Sequence, residues 1–234
     1  MKTVLITGVS KGIGEALRLK FTKEGFDVLG TVYTGVGKIN TETGTESCDG
    51  VPKAKIFELD LSSPESIERC ANEIIETGTK IDILINNAGA LFDEDDTSVI
   101  VDKLRKTLEV NLVGPIDFTE RLISQINSGG QIINISSSAG SLEKAGRVES
   151  HYPYHYPSYK ISKAGLNMYT CTLAQRLKKS DIIVSSVHPG WVRTDLGGPE
   201  ADITAEEAAL GIYSVVVSDK ETGGFWFGKE RMPW

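Results

Sequence analysis

Tyr159 and Lys163 stand four residues apart in the stretch YKISKAG, a spacing that puts a phenol and an ammonium on one face of a helix. An unperturbed phenol, with a pKa of ~10, is a poor acid or base at neutral pH, and a fixed cation beside it draws it toward the working range. The pair reads as a proton donor and its tuner, suited to general acid-base chemistry. The same spacing also describes an ordinary surface pair, and Tyr156 with Lys160 repeats it. Pro157 biases Tyr156 toward an extended conformation ahead of the helix, which favours Tyr159 and Lys163 as the reactive pair. The small residues Ser162, Ala164 and Gly165 beside Lys163 let the helix approach a ligand closely.

A second stretch with chemical potential is TGVSKGIG, from Thr7 to Gly14. Glycines allow the backbone to approach a pyrophosphate, and the N-H groups and positive dipole end of the helix that follows attract it. The spacing is neither the Walker loop nor G-x-G-x-x-G, and a tight turn without a ligand is the alternative. At the end of the next strand, Thr31 to Thr34 offer no carboxylate for a ribose 2'-hydroxyl, whereas Lys11 in the turn could meet a 2'-phosphate. NADP is therefore favoured over NAD, unless Lys11 is an ordinary solvated lysine. Asn111 is a satisfied core amide or a site residue. His151 and His155 have the separation of helical metal ligands, but Pro153 and Pro157 oppose a helix there, so no metal is expected.

These residues need elements to position them. Lys2 to Ile6 reads as a strand and Gly14 to Glu24 as a helix; Phe26 to Val32 and Lys55 to Leu59 read as further strands, with a polar, glycine-rich loop from Thr34 to Gly50. Pro64 to Thr77 is a helix capped by Ser62 or Ser63, and Ile81 to Ile85 is a strand apolar enough to be buried on both faces. A long helical stretch runs from Thr97 to Ile126, in which Pro115 predicts a kink at Asn111. Gln131 to Ile135 is a strand, Ile161 to Leu177 continues a helix, Ile182 to Val187 is a strand, Thr204 to Val217 is a helix and GGFWFG carries a last short strand. Alternating strands and helices imply an α/β fold, a doubly wound parallel sheet with ligands at the strands' carboxyl ends.

At 234 residues the chain is long enough for one such domain, 1–234. A net charge of -7, with no basic stripe, argues against nucleic acid as a partner. No apolar run would cross a membrane, and three scattered cysteines, Cys48, Cys70 and Cys171, suggest neither a disulfide framework nor a zinc motif; a cytoplasmic location is expected.

Taken in order, TGVSKGIG, NNAG, Asn111, NISSSAG, YKISK and HPGWVRT resemble the short-chain dehydrogenase/reductase family over essentially the whole chain. HPGWVRTDLGG and the closing GGFWFGKERMPW further look like its carbonyl-reductase-like subgroup, which includes the insect sniffer protein and the bacterial C-factor. The resemblance implies hydride transfer between NADPH and a small carbonyl or alcohol substrate. Tyr159 would protonate the carbonyl oxygen, Lys163 would lower its pKa and bond the ribose, and Ser137, with Ser136 and Ser138 as rivals, would hold the carbonyl. Asn111 would anchor a water that relays protons to Lys163. Gly8, Ser10, Lys11, Gly12, Ile13 and Gly14 would wrap the phosphates, Asp60 and Leu61 would meet the adenine, Asn87 and Gly89 would line the ribose, and Pro189, Gly190 and Thr194 would bound the nicotinamide. A homodimer or tetramer is implied as well. Two departures from the family pattern stand out: Tyr33 replaces an arginine frequent in NADP-using relatives, and HYPYHYP, His151 to Pro157, lengthens the gap between serine and tyrosine. Those aromatic residues form a pocket wall or pack on the helix below. A different class remains open, a nucleotide-bound regulator whose chemistry is incidental.

Overall fold

The computed structural model describes residues 1–35, 54–145 and 155–234. Its strands are β1 (Thr3–Ile6), β2 (Asp27–Val32), β3 (Lys55–Glu58), β4 (Ile81–Asn86), β5 (Ile126–Ile135), β6 (Ile183–Val187), β7 (Gly224–Phe227) and β8 (Glu230–Arg231). They form one sheet in the order β3-β2-β1-β4-β5-β6-β7-β8, parallel throughout except for the final β7–β8 hairpin. The chain winds outward in both directions from β1 and β4, so the strand order reverses there and opens a crevice at the carboxyl ends.

Both faces of the sheet are covered, which is why its central strands are apolar on each side. On one face, Leu5, Leu84, Ile132 and Val184 pack with Ile74 of α2 (Pro64–Glu76), Phe118 of α4 (Gly114–Leu122) and Leu173 of α6 (Pro157–Leu177). On the other, Val4, Ile6, Ile85 and Ile133 meet Leu17 and Phe21 of α1 (Gly12–Lys23) and Ile212 of α7 (Ala205–Val216). The helix starts follow local rules: Ser63 accepts from Ser66 N-H at 3.2 Å ahead of Pro64, and Thr204 and Glu207 form a capping box.

The long stretch expected as one helix with a kink at Asn111 is built differently. It starts at α3 (Val101–Leu108), passes through a π-helical turn (Glu109–Val113), and resumes as α4. Pro115 has no N-H for the Asn111 carbonyl four residues earlier, and the ladder widens to accommodate this, with Gly114 N-H donating to Glu109 O. β5 begins at Ile126, ahead of Gln131, because Gly129, at φ +76°, carries the strand through an irregularity. α6 begins at Pro157, four residues before Ile161, since proline suits the first helical position. Between β5 and α6 lies a short helix, α5 (Leu142–Ala145). Most of the expected Thr34 to Gly50 loop, together with Cys48 and His151 to Tyr154, lies outside the described residues.

Candidate active site

At the crevice, Thr7 and Asn87 fasten the end of β1 to the end of β4. Thr7 Oγ1 accepts from the N-H groups of Asn87 and Ala88 at 2.9 and 3.0 Å, and Asn87 Nδ2 donates to the Thr7 and Gly8 carbonyls at 2.9 and 3.3 Å. The turn from β1 into α1 needs glycine at two kinds of position. Gly8 and Gly12 have φ of +72° and +58°. Gly14 lies so close to the turn that a Cβ there would sit 1.9 Å from the Gly8 carbonyl oxygen. No side chain of the N-cap residue, Lys11, caps the N-terminus of α1. Uncapped N-H groups at a helix start, behind a glycine turn that backbone alone can line, fit a pyrophosphate.

The catalytic candidates come from three other elements. Ser136, at the end of β5, is buried and donates to Asn167 Oδ1 at 2.7 Å, so it is consumed within the core. Ser138 turns its N-H to His188 Nδ1 at 3.3 Å. Ser137 is half-buried, accepts from Ala139 N-H at 3.1 Å and hydrogen-bonds with Tyr159. All three serines line one cavity, and Ser137 is the one whose side chain bonds the Tyr159 phenol. Gly140 lets this turn rest on α6, where a Cβ would lie 2.6 Å from the Lys163 backbone carbon.

Lys163 is 4% exposed, and its Nζ donates to the Ile135 carbonyl at 2.9 Å while lying 5.5 Å from the centre of the Tyr159 ring. Burial lowers the Lys163 pKa to about 8 and raises that of Tyr159 to about 12, with the Ser137 hydrogen bond only partly offsetting the latter. In place of the expected lowering by Lys163, desolvation sets the direction of the phenol's shift, and the Lys163 ammonium is turned to the Ile135 carbonyl. Asn111 is fully satisfied: Oδ1 accepts from Ala90 N-H at 2.8 Å, and Nδ2 donates to Ala90 O at 2.8 Å and to Ser162 Oγ at 3.3 Å. Its side chain holds the NNAG loop onto α6, while its carbonyl faces the missing N-H of Pro115. Gly89 sits between the two, since a Cβ there would be 3.3 Å from Asn111 Oδ1 and 3.7 Å from Lys163 Nζ.

A cavity of about 940 Å³ gathers Ile13, Asn87, Gly89, Ser137, Tyr159, Lys163, Pro189, Gly190 and Thr194. Tyr156, Trp191, Leu196 and Phe227 give it an apolar wall. Asp60 and Leu61 lie elsewhere: Asp60 Oδ1 accepts from Ser62 N-H and Oγ at 2.8 and 2.6 Å, and Leu61 belongs to the core. Ser10 is exposed on the glycine turn. Lys11 is exposed and ion-paired with Asp195, bridging the glycine turn and the loop after β6. The described part of the HYPYHYP segment adds His155 and Tyr156 to the cavity wall. Among the described residues, no group of three or more His, Cys, Asp or Glu is placed to hold a metal.

Several residues escaped the sequence reading. Glu58 lies opposite Val32 in the β2–β3 register and accepts from Thr34 Oγ1 at 2.5 Å, so a carboxylate does stand beside the end of β2. Only strand pairing reveals it. His188 accepts from Ser138 N-H through Nδ1, which requires a neutral ring protonated on Nε2, and burial accordingly pushes its pKa down to about 4. Asp93, in the loop after NNAG, is buried against the start of α6.

A family model described as short chain dehydrogenase matches residues 2–203. The 1-hydroxy-2-glutathionyl-2-methyl-3-butene dehydrogenase of Rhodococcus sp. (strain AD45) is 31% identical over 221 residues, covering 91% of this chain and 89% of that one. A short-chain dehydrogenase/reductase from Burkholderia multivorans with bound NADP superposes with a TM-score of 0.85 at 29% identity, covering 100% of this chain and 99% of that one. NADPH-bound carbonyl reductase from chicken fatty liver gives 0.85 at 28% identity, over 100% and 94% of the two chains.

Proposed function

The chain belongs to the short-chain dehydrogenase family of oxidoreductases, and from that premise we propose that it reduces a carbonyl compound with NADPH, Tyr159 supplying the proton. The observation that carries this reading is the convergence of Tyr159, Ser137 and Lys163 in one cavity with the strand-end residues Asn87 and Gly89 and with Ile13 at the start of α1. When bound, the nicotinamide supplies the hydride. Ser137 orients the carbonyl oxygen toward the phenol. As negative charge built on the carbonyl oxygen, Tyr159 would pass its O-H proton to that oxygen and be left as the phenolate. A phenol with a pKa near 12 is protonated at neutral pH, which suits this direction. Lys163, at about 8, is mostly charged there and stabilises the phenolate left behind. Asn111 acts by holding the loop that carries Gly89, and its carbonyl is the candidate anchor for a relay water.

Phosphates would sit on Gly8, Ser10, Gly12, Ile13 and Gly14, with Lys11 turned to the 2'-phosphate, the adenine near Asp60 and Leu61, and the nicotinamide against Pro189, Gly190 and Thr194. Relatives with bound NADP or NADPH support that choice of cofactor. Glu58 beside the end of β2 favours a second reading, NADH, because a carboxylate holds a 2'-hydroxyl and repels a phosphate. We further take residues 1–234 as one catalytic domain that works as a homodimer or tetramer in the cytoplasm. Two free thiols, Cys70 and Cys171, support a reducing setting, and among the described residues no helix is long and apolar enough to cross a membrane.

The test is a panel of aldehydes, ketones and quinones followed by NADPH absorbance. On a substrate so found, Tyr159→Phe should lower kcat by at least ~10² while NADPH still binds, whereas Tyr156→Phe should alter KM at most. NADPH binding without turnover on any of the panel would instead favour the nucleotide-bound regulator.

A further inference from the structure

Asp93 is 1% exposed, in a loop that the reaction as derived does not use. Its Oδ2 accepts from the backbone N-H of Ser158 at 2.6 Å, and Ser158 is itself 0% exposed and immediately precedes Tyr159. The same loop grips the helix a second time, because Tyr156 N-H donates to the Asp96 carbonyl at 3.0 Å. α6 has no side-chain cap of its own: its N-cap residue, Tyr156, makes no such bond and is held at φ 45°, a conformation costly for a bulky residue. Asp93 therefore does from 65 residues away what an N-cap side chain ordinarily does locally.

The arrangement is expensive. Among the described residues, neither Asp93 Oδ1 nor Ser158 Oγ, both buried, has a hydrogen-bond partner. A local Ser, Thr or Asp would cap the helix with no buried orphan, so stability alone does not account for this solution. Rules of polar satisfaction are broken most readily where a fixed geometry is needed for function. The first turn of α6 is such a place, since it carries the Tyr159 phenol and is followed one turn later by Lys163, and displacing a reacting group by about 1 Å can cost ~10² in rate.

We propose that Asp93 is a positioning residue for Tyr159, clamping the first turn of α6 so that the phenol meets the carbonyl oxygen from a fixed direction. This rests on Tyr159 being the proton donor. Asp93→Ala removes the acceptor, while Asp93→Asn keeps an oxygen at the same reach. Measured well below the unfolding transition, Asp93→Ala should lower kcat by ~10-fold or more with the Kd for NADPH within about two-fold of the parent, and Asp93→Asn should recover most of the loss. Asp93→Ser, whose hydroxyl falls short of Ser158 N-H, replaces the alanine variant if that does not fold. A folded Asp93→Ala or Asp93→Ser protein with parental kcat overturns the proposal, as does an Asp93→Asn variant as slow as the alanine one. Tyr159→Phe in the same assay separates the two ideas: if it keeps its turnover, both fail, and if it is inactive while Asp93→Ala is not, only the positioning role fails.

Discussion

Lys163 combines a charge with near-complete burial, and that conflict is measurable. Its pKa falls from an ordinary 10.5 to about 8 through desolvation alone. Below about 8 the folded and unfolded chains both bind the proton; between about 8 and 10.5 only the unfolded chain does, so Lys163 makes stability rise with pH through that window. At ~1.36 kcal/mol per pKa unit the rise is on the order of 3 kcal/mol. Tyr159 acts in the opposite sense from 10 to about 12, where the unfolded phenol ionises first. In urea unfolding between pH about 8 and 10.5, the stability of the parent relative to Lys163→Met should rise with pH, since opposing groups such as the Cys70 thiol, pushed up to about 12, act in both proteins; parallel curves would mean that the ammonium is better solvated than its burial implies. Lys11 poses a second question at this scale. Its partner Asp195 is exposed, and so solvated a pair is weak enough for a 2'-phosphate to displace. Lys11→Ala should therefore weaken NADPH binding by roughly ten-fold or more and leave NADH nearly unchanged. Titration showing equal losses would assign Lys11 to the shared pyrophosphate, and tighter NADH binding by the parent would make Glu58 the deciding residue.

Helices and strands meet the site through contacts that tolerate no added atoms. Beneath the catalytic layer, Asn86 of β4 bonds Thr119 of α4 and Asn134 of β5 at 2.9 Å each. Asn134 continues to Thr170 of α6 at 2.8 Å, and Thr170 pairs with Ser186 of β6 at 2.9 Å. Such a connected buried network fixes the register of α6 against the sheet more sharply than apolar packing would. The glycine turn shows the same intolerance in backbone form. Gly14→Ala drives a methyl to 1.9 Å from the Gly8 carbonyl, so the turn must open; NADPH affinity should fall at least ~10-fold, and thermal unfolding should move down by several degrees. Gly211→Ala in α7, where nothing lies within 4 Å of the new methyl, is the contrasting change, with an expected gain of ~0.4 to 1 kcal/mol. Calorimetry on the two variants tests whether contact or helix propensity governs each position.

For the molecule as a whole, the outward face of α6 is a surface on which the proposed assembly can be tested. Ile161 and Met168, seven residues apart and so on one side of the helix, are 45% and 62% exposed, and Val113 in the adjoining π-helical turn is 47% exposed. Apolar residues aligned on an outer helix face suit burial against a second copy of the chain. Light scattering should therefore report at least a dimer at micromolar concentration, and Met168→Glu, which would bury an unpaired charge in each half of a symmetric contact, should shift it toward monomer. A parent protein that scatters as a monomer would remove this assembly. The net charge of -7 leaves the remainder of the surface well solvated.

Residue pattern alone determined the alternation of strands and helices, the placing of the polar motifs at strand ends, and the glycine turn that opens α1, because hydrophobic period and glycine chemistry are local properties. It also ranked Tyr159 above Tyr156 by placing Tyr156 ahead of the helix, where it lies, although Tyr156 takes a left-handed φ of 45° and not the extended conformation expected before Pro157. What tertiary structure decided depends on groups brought together from afar. Burial of Ser136 against Asn167 left Ser137 facing Tyr159; strand pairing set Glu58 beside Val32; and the loop after NNAG carried Asp93 to the start of α6. Even the direction of the Tyr159 pKa shift belongs to the folded chain, because spacing foretells a charged neighbour but desolvation is known only once the surrounding atoms are in place.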